Sequence, residues 1–317
     1  MALTYTQANA VSKEYFDKTI TQTVYERSPI FWSANQKHKV KKIGGTGGNT
    51  FRFPLRYRKL GQSEAVDPAA QLIYEQYDTR TQGELAWKYY RSKTMISWEE
   101  RVTNRGDAQI VRLIADKTEE LRQDLYDKFV TDIYALSQGT LNFQSLDTIV
   151  DATTTYAGVA QADVASWAAN EDSTTTRLSL YGDQSLAELI NLSTFGTDRP
   201  TLIATTRDLA SKMESLLQGQ QKLFDQDLAN AGFENVKFKN IPIVGDYGCP
   251  AAYMWGLDMN NLEFWYQEGY NMKISDWYPL EQAGFPEYLA KVAAWVGETV
   301  CRQRQTNFKF SALDFTL

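Results

Sequence analysis

One histidine, His38, serves the whole chain of 317 residues, and only two cysteines, Cys249 and Cys301, accompany it. A Ser-His-Asp triad, a Cys-His pair or an HExxH zinc helix would each have to run through His38. It stands between Lys37 and Lys39 with no local partner, the setting of a surface histidine. No GxSxG elbow is present. Two cysteines without CxxC spacing make neither a disulfide framework nor a redox or metal pair and read as ordinary thiols. No stretch approaches the roughly 18 consecutive apolar residues of a membrane-spanning helix. The first ten residues lack the basic start and apolar run of a signal peptide, so intracellular synthesis without a membrane partner is expected. The glycines at 44, 45, 47 and 48 lack a GK[ST] ending and lead into a strand, which makes a hinge and not a phosphate cradle. No cofactor is expected.

What is present is ample: 43% hydrophobic and 13% aromatic residues can build a sizeable core and two subdomains. The net charge of −6 disfavours a general nucleic-acid binder. Acid is missing, however, from one long stretch. Between Arg27 and Ser63 there are nine basic residues and no Asp or Glu, leaving 24 basic against 39 acidic elsewhere. A positive arm on a negative body attracts copies of itself head to tail, and such heterologous contacts close into rings. A merely solvated basic face is the alternative.

Residues 5–25 carry Val11, Tyr15, Phe16 and Ile20 at helical spacing, and Pro29 precedes an apolar Ile30-Phe31-Trp32 patch. Phe51, Phe53, Leu55 and Tyr57 then alternate with Arg52, Arg56 and Arg58, followed by Lys59: apolar on one face, guanidinium groups on the other. Pro54 removes one ladder donor and points to an edge strand. Leu85, Trp87 and Tyr89 give the return strand, and the Pro68-containing stretch 61–70 between them reads as a polar tip. The aromatic face is expected to bury on a neighbouring copy while the arginines meet acidic surface. Trp87, Tyr89 and Tyr90 near arginines also suit base stacking, but protein contact uses the same residues and the chain is acidic overall.

A helical pattern runs from Asp107 to about Gln138, with Ile110, Leu113, Ile114, Leu121, Leu125, Phe129, Ile133 and Leu136 on one face, and Gly139 beyond its end. Its spacing is too irregular for a coiled coil, so that face is expected to pack on a sheet of its own subunit. From Leu141 to about Tyr266 strands such as 201–205 alternate with helices such as 206–220 and 221–231, an α+β texture, and strand texture returns around Ala290–Val296. Glu99-Glu100, Asp225 and Asp227 are the carboxylates a metal enzyme would use, though adjacent acids are usually solvated and no EF-hand spacing accompanies them.

The order of these parts resembles the major capsid proteins of tailed bacteriophages, the Hong Kong ninety-seven type of shell fold. Local strings carry the resemblance: Thr153-Thr154-Thr155-Tyr156-Ala157-Gly158-Val159 with Ala165-Ser166-Trp167; then Ala231-Gly232-Phe233, Ile241-Pro242-Ile243-Val244, Asp246 and Cys249-Pro250; and the closing Val300-Cys301-Arg302-Gln303-Arg304. The resemblance implies an α+β capsid fold with an N-terminal arm (1–43), an extended β-hairpin loop (44–97), a spine helix with the first part of a peripheral domain (98–149), an axial domain (150–266) and the rest of the peripheral domain (267–317). It also implies pentamers and hexamers forming an icosahedral shell around double-stranded DNA that is not read by sequence, a separate scaffolding protein and a portal. Location in the virion after assembly in the host cytoplasm follows, with no catalytic, cofactor or metal residues. An encapsulin-like bacterial compartment of the same fold, and a carboxylate-metal enzyme, are the competing readings.

Overall fold

In the computed structural model, residues 28–44, 48–56, 63, 65, 79–103, 107–161, 167–217, 224–280 and 288–314 are described. The helical pattern at 5–25, the aromatic-basic positions Tyr57, Arg58 and Lys59, and most of the ribbon tip lie outside them.

The described chain begins with helix α1 (Pro29–Gln36), whose proline supplies the fixed φ of a first helical turn, followed by β1 (Val40–Ile43). His38 is exposed and has φ 53°, the left-handed turn that ends α1. Next come β2 (Thr50–Arg56), β3 (Arg80–Ala86), β4 (Lys88–Ile96), α2 (Trp98–Thr103) and the long α3 (Asp107–Ile133). After α4 (Leu146–Ile149) and β5 (Asn170–Asp172) the chain passes through α5 (Leu186–Leu192), β6 (Leu202–Thr205), α6 (Arg207–Leu216), α7 (Gln226–Asn230), β7 (Asn235–Phe238), β8 (Ile241–Gly245) and β9 (Met254–Leu257). It ends with β10 (Leu262–Gln267), β11 (Lys273–Ile274), β12 (Tyr278–Pro279), β13 (Leu289–Cys301) and β14 (Phe308–Phe310).

Two six-stranded sheets organise these elements. In the first, the 13-residue β13 pairs antiparallel with β4 along one edge and with β10, β11 and β12 along the other, and β1 adds in parallel to β10. At about 3.3 Å per residue β13 runs roughly 43 Å, close to the roughly 40 Å length of the 27-residue α3. That match lets α3 lie along the sheet: Leu121, Leu125, Phe129 and Ile133 are all buried, and Phe129 packs edge-on against Tyr90 and Trp295. The expectation that the helix covers a sheet of its own subunit therefore holds. Its end comes earlier than the apolar pattern suggests. Helix geometry stops at Ile133, and Leu136 is 44% exposed. There Tyr134 carries its hydroxyl into the interior to donate to Asp246 (2.9 Å), and the Gln138 amide donates to the carbonyls of Gly139, Asn142 and Phe143, tying the chain into a turn.

The second sheet has the order β5-β14-β9-β6-β8-β7 and is mixed, with α5 and α6 over it. Leu186, Ile190, Leu209 and Met213 from those helices meet Ile203, Ile243 and Phe308 in a separate core. Ser185, Thr206 and Asp225 cap α5, α6 and α7 through their side-chain oxygens. The expected division at 266/267 does not follow these sheets. β10 belongs to the β4–β13 sheet, and β14, near the C-terminus, sits inside the second sheet between β5 and β9. Residues 28–43, expected as part of an arm, are likewise built in: Ile30 and Phe31 are buried in the larger core, and Phe31 lies 4.9 Å from the Phe264 ring.

Candidate functional site: the ribbon and its anchorage

The ribbon is the two-stranded sheet of β2 and β3, paired antiparallel from Thr50↔Ala86 to Arg56↔Arg80. Pro54 stands opposite Gln82, and in a two-stranded sheet both strands are edges, so its missing N–H breaks no central ladder. Gly83 is required here, because a Cβ at that position would come within 2.8 Å of the Phe53 ring.

The alternation read from the sequence is present, but its apolar side is already covered. Phe51, Phe53 and Leu55 are buried, as are Leu85 and Trp87. Phe51 lies between Trp87 (4.5 Å) and Trp265 (5.2 Å), and Phe53 meets Trp265 edge-on at 5.9 Å. These five residues, expected to be sheltered by a neighbouring copy, are thus already packed in the larger core of their own chain, where Trp265 on β10 covers Phe51 and Phe53. Trp265 is itself fixed, its indole N–H donating to Glu263 (2.7 Å) and the Arg302 guanidinium lying over its ring at 5.7 Å. Burial raises the affinity of the Glu263 carboxyl for protons, but Lys41 (2.7 Å), the indole and Arg302 (3.2 Å) outweigh it and hold the group below the ordinary carboxylate range.

The other named ribbon residues divide. Arg52 is exposed and pairs with Glu84 across the ribbon (2.9 Å), while the Arg56 side chain, Tyr57, Arg58 and Lys59 are outside the described residues. Tyr89 does not continue the Leu85–Trp87 face. Trp87 sits in a one-residue break between β3 and β4, after which Tyr90 points to the core and Tyr89 is 57% exposed. The local sequence shows an uninterrupted alternation there, so the phase change leaves no signal in it.

Elsewhere in the core are buried polar groups that no local pattern singles out. Arg304, completely buried, donates to the carbonyls of Thr148, Ile149, Asp151 and Thr154 at 2.7–3.1 Å and lies over the Tyr156 ring. Tyr156 in turn donates to the Thr299 carbonyl, and the Trp167 indole donates to the Tyr156 carbonyl. Lys309 lies among Asp147 (2.8 Å), Glu171 (3.2 Å) and Asp151 (3.7 Å). Glu298 accepts from the N–H groups of Gln144 (2.6 Å) and Thr299 (2.9 Å), and burial pushes its carboxyl up to about 8.

Two of the four carboxylates considered for a metal, Glu100 and Asp225, have other partners. Glu100 accepts from the Ser97 N–H (3.1 Å) and pairs with Lys117, and Asp225 caps α7 and pairs with Lys237 (2.9 Å). Among the described residues no group of three or more His, Cys, Asp or Glu side chains is placed to hold a metal ion. Burial raises both thiols, Cys249 and Cys301, well above the ordinary value, the opposite of what a nucleophile needs. A groove of about 960 Å³ beside α6 is lined by Arg207, Glu214, Phe224 and Glu234, and its one hydroxyl, Ser211, is committed to the Arg207 carbonyl. No helix among the described residues is long and apolar enough to cross a membrane.

Neither a protein-family profile nor a characterised protein matches the sequence. Solved structures do match the fold. A chain of the cyanophage A-1(L) capsid asymmetric unit superposes with a TM-score of 0.65 at 15% identity, over 89% of this chain and 92% of that one. One from the procapsid of satellite phage P4, a particle that includes a size-determination (Sid) protein, gives 0.54 at 13% identity over 97% and 96%. One from Mycobacterium phage Cain gives 0.55 at 10% identity over the full length of both. The likeness is one of fold at these identities, and it extends over nearly the whole of each chain: the chain has the fold of tailed-bacteriophage major capsid proteins.

Proposed function

We propose that the protein is the shell-forming major capsid protein of a tailed phage, a structural protein and not an enzyme, located in the virion. The observation that carries this reading is the match of fold over nearly the whole of both chains to capsid proteins. Copies would gather into pentamers and hexamers in the host cytoplasm, with a separate scaffolding protein and a portal, and close an icosahedral shell around double-stranded DNA. Within this reading residues 44–97 are the extended loop, whose last strand β4 roots it in the sheet of the peripheral domain, α3 is the spine and the second sheet belongs to the axial domain.

The contact with neighbours would then fall to Arg52 and Tyr89, which are exposed, and to Arg56, Tyr57, Arg58 and Lys59, which the sequence places next along the ribbon. Many modest contacts repeated around a closed shell add to a strong assembly, since each new subunit binds partners already held in place. Expression with its scaffolding protein should give shells by electron microscopy, and a strictly monomeric product would refute the reading. Replacing Arg52, Arg56 and Arg58 together by Glu should leave the subunit folded, because surface charge changes seldom unfold a domain, and block assembly. Normal shells from that variant would remove the basic side chains from the contact.

A further inference from the structure

Where the ribbon meets the body, several pieces of chain converge on Glu298. Its ladder partner on β10 is Trp265, the residue that covers Phe51 and Phe53 of the ribbon. On the other side the β4 ladder stops one residue short of it, at Lys88↔Gly297, and Trp87 instead donates its backbone N–H to the Asn49 carbonyl (2.9 Å). The loop after α3 brings the Gln144 N–H to the Glu298 carboxyl. The turn 156–159 takes the stretch of β13 beyond the β4 ladder: the Tyr156 hydroxyl donates to the Thr299 carbonyl (3.1 Å) and accepts from the Cys301 N–H (2.9 Å). That turn also grips the ribbon, for the Ala157 carbonyl accepts the Glu84 N–H of β3 (2.9 Å). Ala157 makes this contact at φ 54°, a strained setting for a residue with a Cβ, so release of the grip relieves strain.

Glu298 is completely buried, and its carboxyl is only half served. One oxygen accepts both N–H groups, from Gln144 (2.6 Å) and Thr299 (2.9 Å). The other has no hydrogen-bond partner among the described residues, and neither has the Trp87 indole N–H. We propose that Glu298 is a proton-operated latch on the ribbon: protonated, it lets the root of the ribbon close on the body, and ionised, it drives that root open so that the carboxylate meets water. A carboxylate with one oxygen unserved in a dry junction is far less stable there than the neutral acid. The smallest relief is local. Parting Glu84 from Ala157 and Trp87 from Asn49 opens the junction and leaves the β4–β13 and β10–β13 ladders intact. The charged and titratable groups around the junction do not oppose this. Lys88 favours the ionised form, but its ammonium is committed to the Thr140 carbonyl (2.6 Å) and burial outweighs it. Burial raises the Tyr90 and Tyr156 hydroxyls, which stay neutral, and on β10 Lys41 and Arg302 keep Glu263 ionised. The latch belongs to the single subunit and does not depend on the shell reading.

Hydrogen exchange on the full, unassembled chain between pH 5 and 8 tests the latch. Burial places the titration of the closed state at about 8, and solvent returns the carboxyl to its ordinary 4.5, so the opening constant should rise with pH through this interval, by at least about tenfold, and level off above it. After correction for the intrinsic exchange rate, amides of residues 80–87 should show that rise with little dependence on denaturant, the mark of a local opening, while amides of β13 and α3 exchange only with global unfolding. Glu298→Gln keeps an acceptor for both N–H groups and cannot ionise, and its ribbon opening should change less than about twofold over the same range. A rise of equal size in Glu298→Gln, no rise in the wild type, or ribbon amides that exchange only with global unfolding would each overturn the proposal. Infrared pH-difference spectra of the wild type give a second readout: the C=O band of a protonated carboxylic acid should be present at pH 6 and disappear as the ribbon opens. Its absence at pH 6 would also overturn the proposal, and this band together with the wild-type exchange series carries the test if Glu298→Gln does not fold.

Discussion

Replacing Trp265 by Ala separates two accounts of the ribbon. If the ribbon's aromatic side is sheltered by its own chain, the dissociated subunit loses the shelter; if a neighbour provides it, the dissociated subunit has nothing to lose. The indole is 7% exposed, contacts the Phe51 and Phe53 rings, lies beneath Arg302 and donates to a buried carboxylate. Truncating a buried tryptophan costs about 3–5 kcal/mol, and leaving Glu263 short of a donor adds about 1 kcal/mol or more. Against a total stability of about 5–15 kcal/mol this is a large fraction. With an m-value of about 3 kcal/mol/M, the urea midpoint of the dissociated subunit should fall by roughly 1 M or more. Hydrogen exchange gives the location: amides of residues 51–55 and 81–85, in β2 and β3, should lose protection before those of β13 do. A dissociated W265A subunit within about 1 kcal/mol of wild type, with an unchanged ribbon, would refute the reasoning.

Arg304→Met should destabilise the fold severely, because it leaves four buried carbonyls without their donor at about 1–3 kcal/mol each before any relaxation; thermal denaturation reads it, and Arg304→Lys should recover only part. Glu298 has its folded value raised to about 8 by burial, so it favours folding while protonated, and that contribution is lost as pH rises from the unfolded value near 4.5 through 8. Glu298→Gln keeps the two N–H contacts and removes the charge. Its unfolding free energy should therefore fall less than the wild type's between pH 5 and 8, and parallel curves would reject the assignment. Asp151, in contrast, is pushed up by burial but held well below the ordinary carboxylate range by the N–H and hydroxyl groups of Thr153 and Thr154. Its contribution is present at neutral pH and lost on acidification, and Asp151→Asn should flatten that acid limb.

The sequence made the local elements readable because each rests on neighbours a few residues apart. The 3.6-residue spacing from Leu113 to Ile133 marked α3 and the face it buries, and the two-residue spacing of Phe51, Phe53 and Leu55, with Pro54, marked an edge ribbon. Alternation states that a strand has two faces; it does not state which molecule covers one of them. The covering residue, Trp265, is more than two hundred positions away, and only the closed fold brings it to Phe51. The same limit hid Arg304 and Lys309. A cation beyond the end of a strand looks solvated in sequence, yet the four carbonyls that hold Arg304 come from the end of α4 and the loop after it, about 150 residues earlier. Leu136 erred in the other direction, since apolar spacing continued after a turn locked by Gln138 had already ended the helix.

Anchorage within the chain also bears on how a shell would carry load. β3 passes into β4 through Trp87 alone, and β4 is paired to β13 over nine consecutive residues, Lys88↔Gly297 to Ile96↔Leu289. A pull on the ribbon along its strands therefore arrives at β13 as shear, in which the ladder bonds share the load, and not as peeling, which opens them singly. β13 passes it on to β10, which carries Trp265, and to α3 through Trp295 and Phe129. A ribbon sheltered only by its neighbour would hang from the subunit by two unsupported strands. One whose base is packed on Trp265 is a lever rooted in the sheet it loads, so the contact made at its far end can be modest and still hold a subunit in place.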